Sequence, residues 1–329
     1  MVTLKEWRSA SDDDIRAFVG HLKEWLPEGL AVQEDGAGAL PFCNEEGFVV
    51  VRDTRVEART FVLVPGGAAR LGFDAEAWEI PSYVQKHWDL VRAHLPGSFH
   101  DVDLRAFVGA RTSSPRDVAL PALLVQRASA EVGWEPLPSE DPRYMQLLGS
   151  VPRWAPAVLL HSVTDDGELR VRGVERPGYA TVERRVSVSH AQVVETLAAA
   201  GQRLLSADEW EYACGGGTGQ LFAWGPDCVL NGYPDDLPLS AFFQPNQRHP
   251  FGLHMPWGHT TRWELVQDPD LRMGGDGGLR VSASVPFLEA WLPVATAWRE
   301  VDRPPPDFAD GAWVRRVVPL DPELRLRAR

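Results

Sequence analysis

Cysteine is scarce in this chain: three residues in 329, Cys43, Cys214 and Cys228, an odd number at wide spacings. That count argues against a disulfide framework, and the lack of any CxxC pair argues against a structural zinc site. Basic side chains are also in deficit, 33 against 46 acidic, giving a net charge of −13. Such a surface repels phosphate backbones and anionic headgroups, so neither nucleic acid nor a membrane is expected as a partner. No apolar run approaches spanning length, and the opening MVTLKEWRSASDDD has no apolar signal core. A reduced, cytoplasmic setting is the expectation. Several signatures of chemistry are missing as well. The glycine runs at Gly215 and Gly274 adjoin no GK[ST], so neither is a phosphate loop. No Ser/His/Asp set has an order or spacing that argues for a nucleophile, and HSVTDD at His161 reads as a hairpin turn.

Tryptophan, by contrast, is plentiful, 13 residues against five tyrosines, and 29 glycines with 27 prolines point to a loop-rich architecture. A first helix is expected from Ser11 to Leu26, capped by Ser11 and ended by Pro27. Its Ile15, Phe18, Val19, Leu22, Trp25 and Leu26 share one face. That face needs a partner surface, its own domain or another chain; docking on its own domain is expected on packing grounds. Strands are expected in GFVVVRD from Gly47 and ARTFVLVPGG from Ala58, the second closed by Pro65, Gly66 and Gly67. Residues 75–95 read as helical in their second half, whereas 101–109 are compatible with helix or strand. DVALPALLVQRA from Asp117 reads as one buried strand. A hairpin is expected around Asp165, Asp166 and Gly167, and a helix from Ser189 to Ala200. Late strands are expected at Val281–Val285 and Trp313–Leu320.

RLLSADEWEYACGGG, from Arg203 to Gly217, is the most informative stretch. Ser206 and Glu209 have capping-box spacing, and Gly215, Gly216 and Gly217 stop the short helix that follows. Trp210 and Tyr212 make it a packing anchor.

Five stretches, taken in order, resemble the formylglycine-generating enzyme family, also called the sulfatase-modifying-factor family. They are FVLVPGG at Phe61, VALPALLVQR at Val118, VSVSHAQVVETLAAAGQRLLSADEWEYACGGG at Val186, LFAWG at Leu221 and PNQRHPFGLHM at Pro245. The resemblance implies an α+β, loop-rich, C-type-lectin-like fold. On that reading residues 1–46 are an added N-terminal helical extension. Residues 47–329 are then the family-like domain, with 75–116 as an insertion.

Activity does not follow from the fold. The resemblance implies oxidation of a substrate cysteine to formylglycine with copper, bound by two cysteines after a GGSW-like turn near the C-terminus. The equivalent region here, RMGGDGGLRVSASVPFLEAWLPVATAWRE from Arg272, contains no cysteine. Copper, and formylglycine chemistry by that route, are therefore not expected. The resemblance also implies bound calcium. Asn231, Asp235 and Asp236 are its candidate ligands, too few for the six to eight oxygens calcium takes. The family's GNVWEW motif is altered to PWGHTTRWELV, which keeps Trp263 and Glu264.

Two functions stand at this point. One is a divergent family member that binds a small ligand or a protein partner, presenting Tyr233, Trp257 and Arg262 on its loops. The other is an oxygen- or metal-dependent enzyme using His249, His254 and His259 with Glu264 in place of the thiolates. Those histidines also read as side chains satisfied by backbone carbonyls. Cys214 reads as a buried inert thiol, or as half of a pair with Cys228.

Overall fold

A computed structural model describes residues 2–34, 39–56, 59–92, 101–150, 159–164, 167–173, 180–222, 249–255, 262–275, 292, 295–299, 312–321 and 323–326. The chain divides into two compact units. The first comprises Met1–Ala130, Val194–Pro305 and Trp313–Arg329, the second Glu131–Val193 and Pro306–Ala312. Residues 1–46 and 75–116 thus both belong to the first unit.

The chain opens with α1 (Leu4–Ser9), α2 (Asp12–Trp25), β1 (Leu30–Val32), β2 (Val50–Asp53), β3 (Thr60–Val64) and β4 (Gly67–Leu71). Then come α3 (Ser82–Arg92), α4 (Leu104–Gly109), β5 (Arg116–Leu120), β6 (Leu123–Gln126) and β7 (Ala130–Glu131). β8 (Trp134–Pro136), α5 (Pro142–Ser150), β9 (Leu159–Thr164), β10 (Gly167–Gly173) and β11 (Ala180–Arg185) follow. The last part holds α6 (His190–Ala199), β12 (Arg203–Leu204), α7 (Ala207–Gly215), β13 (Arg262–Leu265), β14 (Arg272–Gly275), β15 (Trp313–Val314) and β16 (Arg316–Pro319). The class is α+β.

The first unit is built on a six-stranded sheet in the order β1-β2-β3-β6-β16-β12. β3 and β6 are apolar along nearly their whole length, as strands covered on both faces must be. α2 starts at a capping box between Ser11 and Asp14, and its Ile15, Phe18, Val19 and Leu22 enter the same core as Phe61 and Leu63 of β3. The helix therefore docks on its own unit, as expected. α1, capped by Thr3 and Glu6, adds Trp7, whose ring meets Phe18 edge-on at 5.6 Å and whose indole N–H donates to Gly47 O at 3.1 Å.

A second core of this unit gathers Trp78 and Trp88 with Leu104, Phe107 and Val108 of α4, joined by Leu221, Phe222 and Ala297. The undecided stretch 101–109 thus resolves as helix, because Asp103 caps α4 by accepting from the amides of Arg105 and Ala106.

Two strand expectations change. The run from Asp117 is two strands: Pro121, which has no amide to donate, separates β5 from β6, and each joins a different sheet. β4, of which the sequence marks only the first residue, Gly67, as part of a turn, is a strand paired antiparallel with β5. Trp313–Leu320 likewise divides, β15 pairing parallel with β13 while β16 enters the large sheet. The strand expected at Val281–Val285 lies outside the described residues.

In the second unit β8, β11, β10 and β9 form an antiparallel sheet. Leu169, Val171 and Val182 pack with Leu137 and with α5 on one face. Arg170, between two core residues, is on the other face, where it pairs with Glu131 and Glu183 at 2.6 Å and lies 4.0 Å over the Trp134 ring.

Candidate functional site

The geometry of the first unit is organised by α7. Ser206 Oγ accepts from the Glu209 amide at 3.1 Å, and Glu209 accepts in return from the Ser206 amide at 2.8 Å. Arg203 forks onto the same carboxylate at 2.6 and 2.7 Å. Gly216, at φ +64°, ends the helix in the left-handed region that glycine enters freely. With both ends fixed, three successive side chains reach three different neighbours.

Trp210 donates its indole N–H to Glu264 Oε2 at 2.8 Å. Glu264 is in turn gripped by Arg315, Nη2 to Oε1 at 2.8 Å and Nε to Oε2 at 3.1 Å. Arg315 spends Nη1 on the carbonyls of Gln126 and Arg127, at 2.9 and 2.6 Å. Both charged side chains are almost fully buried. Burial is the largest single influence on Arg315 and lowers its pKa, but the charge and hydrogen bonds of Glu264, together with Cys214, more than offset it and leave the pKa raised.

Glu211 faces the other way and gathers four donors. They are the Gly72 amide, Ser113 Oγ at 3.2 Å, Arg116 Nη2 at 2.9 Å and Arg299 Nη2 at 2.6 Å. Arg116 also pairs with Asp208, so the two-stranded β4–β5 sheet is tied to the start of α7. Tyr212 completes the set, donating its hydroxyl to Pro65 O at 3.1 Å.

Beside this anchor a cleft of about 670 Å³ opens, walled by residues 3–5, by Gly66 and β4 as far as Arg70, and by the turn at Gly217–Gly219. Lys5 and Arg70 stand exposed at it, and among the described residues neither side chain has an ion pair; Asp74 is the one acidic lining residue. A volume of this size suits a ligand or a short stretch of chain.

Two of the four candidate metal ligands, His249 and Glu264, are already engaged. His249 is buried, and both ring nitrogens are taken: Nδ1 accepts from the amides of Phe251 and Leu253 at 3.2 and 3.3 Å, so Nε2 carries the proton and donates to Cys214 O at 3.0 Å. Burial holds its pKa down at about 4. His249 is thus a satisfied core histidine and has no lone pair left for a metal. Glu264 is withdrawn for a similar reason, since both oxygens serve Arg315 and Trp210. His254 is exposed, but its pKa is lowered by partial burial and by the cations Arg127 and Arg315, surroundings that also oppose a metal ion. His259 lies outside the described residues, as do Asn231, Asp235, Asp236, Tyr233, Trp257 and Cys228; Arg262 opens β13, with its side chain undescribed. Among the described residues no group of three or more His, Cys, Asp or Glu could hold a metal.

Cys214 and Cys43 are both buried free thiols. Burial raises the pKa of each, that of Cys43 to about 12. No protein-family model matches the chain, and no curated protein matches it. The family resemblance rests on its motifs alone. No helix of the described residues is long and apolar enough to cross a membrane.

Sequence reasoning missed Glu211, Arg315 and the β4 edge. Glu211 sits between the two aromatics that drew attention to α7. Arg315 had a readable signal: two arginines, Arg315 and Arg316, between Val314 and Val317 in an apolar strand pattern imply that at least one is buried with a partner.

Proposed function

We propose that this chain is a binding protein built on a C-type-lectin-like scaffold of the formylglycine-generating enzyme type, without formylglycine-generating activity. The observation that carries the reading is the state of its thiols. Copper(I) capture needs two thiolates that can reach one ion. Cys43 and Cys214 are sealed in the main core with raised pKa values, and the sequence after Arg272 supplies no cysteine. Cys228 alone cannot make the pair. Support for binding comes from the open cleft beside α7, which holds unpaired cations and no catalytic constellation. A histidine-based metal enzyme is disfavoured, because His249 and Glu264 are already engaged.

The test is to incubate the purified chain with copper(I), oxygen and a cysteine-containing sulfatase peptide, then analyse the peptide by mass spectrometry. The expected result is unchanged cysteine and no copper retained on the protein after dialysis. Conversion to formylglycine in proportion to the amount of protein would overturn the reading.

A further inference from the structure

We propose that the outer edge of β4 is a docking site for an extended acidic peptide segment of a partner protein, added to β4 as a further strand. This names the partner class for the binding reading above and rests on it.

β4 pairs with β5 along one edge in continuous register, Gly67 opposite Leu120 through to Leu71 opposite Arg116. Backbone groups in a strand alternate sides, so every second residue turns its N–H and C=O to the other edge. Two fixed points show which residues those are. At one end Gly66 donates its amide to Val2 O at 2.9 Å and accepts from the Leu4 amide at 3.1 Å, a parallel bridge with residues 2–4. At the other end the Gly72 amide donates to Glu211. Even-numbered residues therefore face away from β5, and Phe73 confirms the parity by donating to Ser113 O at 2.9 Å, on the β5 side.

Between the two fixed ends lie Ala68 and Arg70. Their amides and carbonyls point outward, and among the described residues no hydrogen bond reaches them; the turn at Gly219 lies beside the Arg70 carbonyl, where an added β-carbon would stand 3.9 Å from it. The cleft runs along this edge, with Gly66 through Arg70 in its wall. Small side chains at Gly67, Ala68 and Ala69 leave the backbone approachable. The chain itself demonstrates the geometry, since residues 2–4 already occupy the adjoining place on the same edge before turning into α1.

Charge decides the occupant. Lys5 and Arg70 are exposed and unpaired at the cleft, against Asp74 alone, in a chain of net charge −13. An acidic segment is repelled by most of the surface and attracted here, which favours this register and orientation. Main-chain hydrogen bonds to Ala68 and Arg70 would supply affinity in the manner of strand addition.

The experiment uses the full chain and an end-blocked eight-residue peptide alternating glutamate with threonine and valine. A lysine-for-glutamate counterpart and free glutamate serve as controls. Binding is read by fluorescence anisotropy, and docking by amide hydrogen exchange. The expected result is binding of the acidic peptide with exchange at Ala68 and Arg70 slowed at least tenfold. Arg70→Glu, a surface change that leaves packing alone, should weaken binding at least fivefold and shift preference towards the lysine peptide. Ala68→Pro removes an outward donor without touching the β5 ladder, and should weaken binding at least tenfold in a variant that keeps its circular dichroism. Unchanged exchange at saturating peptide overturns the proposal, as does binding that ignores both variants. Free glutamate competing as well as the peptide would assign the cleft to a small anion. A concentration-dependent dimer abolished by Ala68→Pro would assign the edge to a second copy; either result overturns the peptide. Formylglycine production would sink the binding reading on its own, independently of these measurements.

Discussion

Trp210 and Glu264, 54 residues apart in the chain, meet in the core of the first unit, where the indole N–H donates to the carboxylate at 2.8 Å. The same carboxylate is held by Arg315, so an ion pair lies where no water reaches it. Glu264→Gln should leave Arg315 charged and uncompensated. A loss of about 3–5 kcal/mol in unfolding free energy is expected from urea titration. The double change Glu264→Leu with Arg315→Met should recover most of it.

His249 makes stability pH-dependent. Its folded-state pKa of about 4 lies below the ordinary 6.5, so the unfolded chain binds more protons in between. The stability its neutral ring contributes is complete above pH 6.5, declines as pH falls, and is gone near pH 4. The full swing is roughly 3 kcal/mol. Urea midpoints between pH 7.5 and pH 4.5 should fall less steeply in His249→Leu than in the parent, although that variant starts lower for lack of three hydrogen bonds.

Gly72 sits at φ +86°, and a β-carbon there would come within 2.1 Å of Ser114 O. Gly72→Ala must therefore strain the turn and displace the amide that Glu211 accepts. A loss of more than about 2 kcal/mol is expected, together with faster exchange at Phe73, whose bond to Ser113 O lies next to it.

Thiol accessibility checks the cores directly. In native protein at pH 8, Cys43 and Cys214 should not react with an aromatic disulfide reagent over an hour, and both should react once the chain is unfolded in urea. Fast labelling of either in the native state would contradict their burial.

What the sequence made legible was local. The Ser206–Glu209 box and the glycine stop of α7 depend on residues three to ten apart, and both form as read. So does the amphipathic face of α2. Long-range partners were out of reach: nothing around Glu264 announces Arg315, and nothing in EWEY announces that Glu211 collects two arginines from distant segments. β4 was hidden for another reason. Gly67, Ala68 and Ala69 have little preference for strand, and the element exists because β5 lies alongside it. The candidate histidines illustrate the converse, since spacing brought three of them to notice while hydrogen bonding decided the role of His249.

The position of β16 sets the timetable on which this chain matures. That strand lies inside the large sheet, between β6 and β12, although among the described strands it is the last to be synthesised. Until Arg316–Pro319 emerge, Leu123, Leu124 and Val125 present an open apolar edge of the kind that recruits other strands. A nascent chain on the ribosome must therefore carry an unfinished sheet until Arg316–Pro319 have emerged, and interruption before Arg316 should yield an aggregating fragment instead of a smaller folded protein.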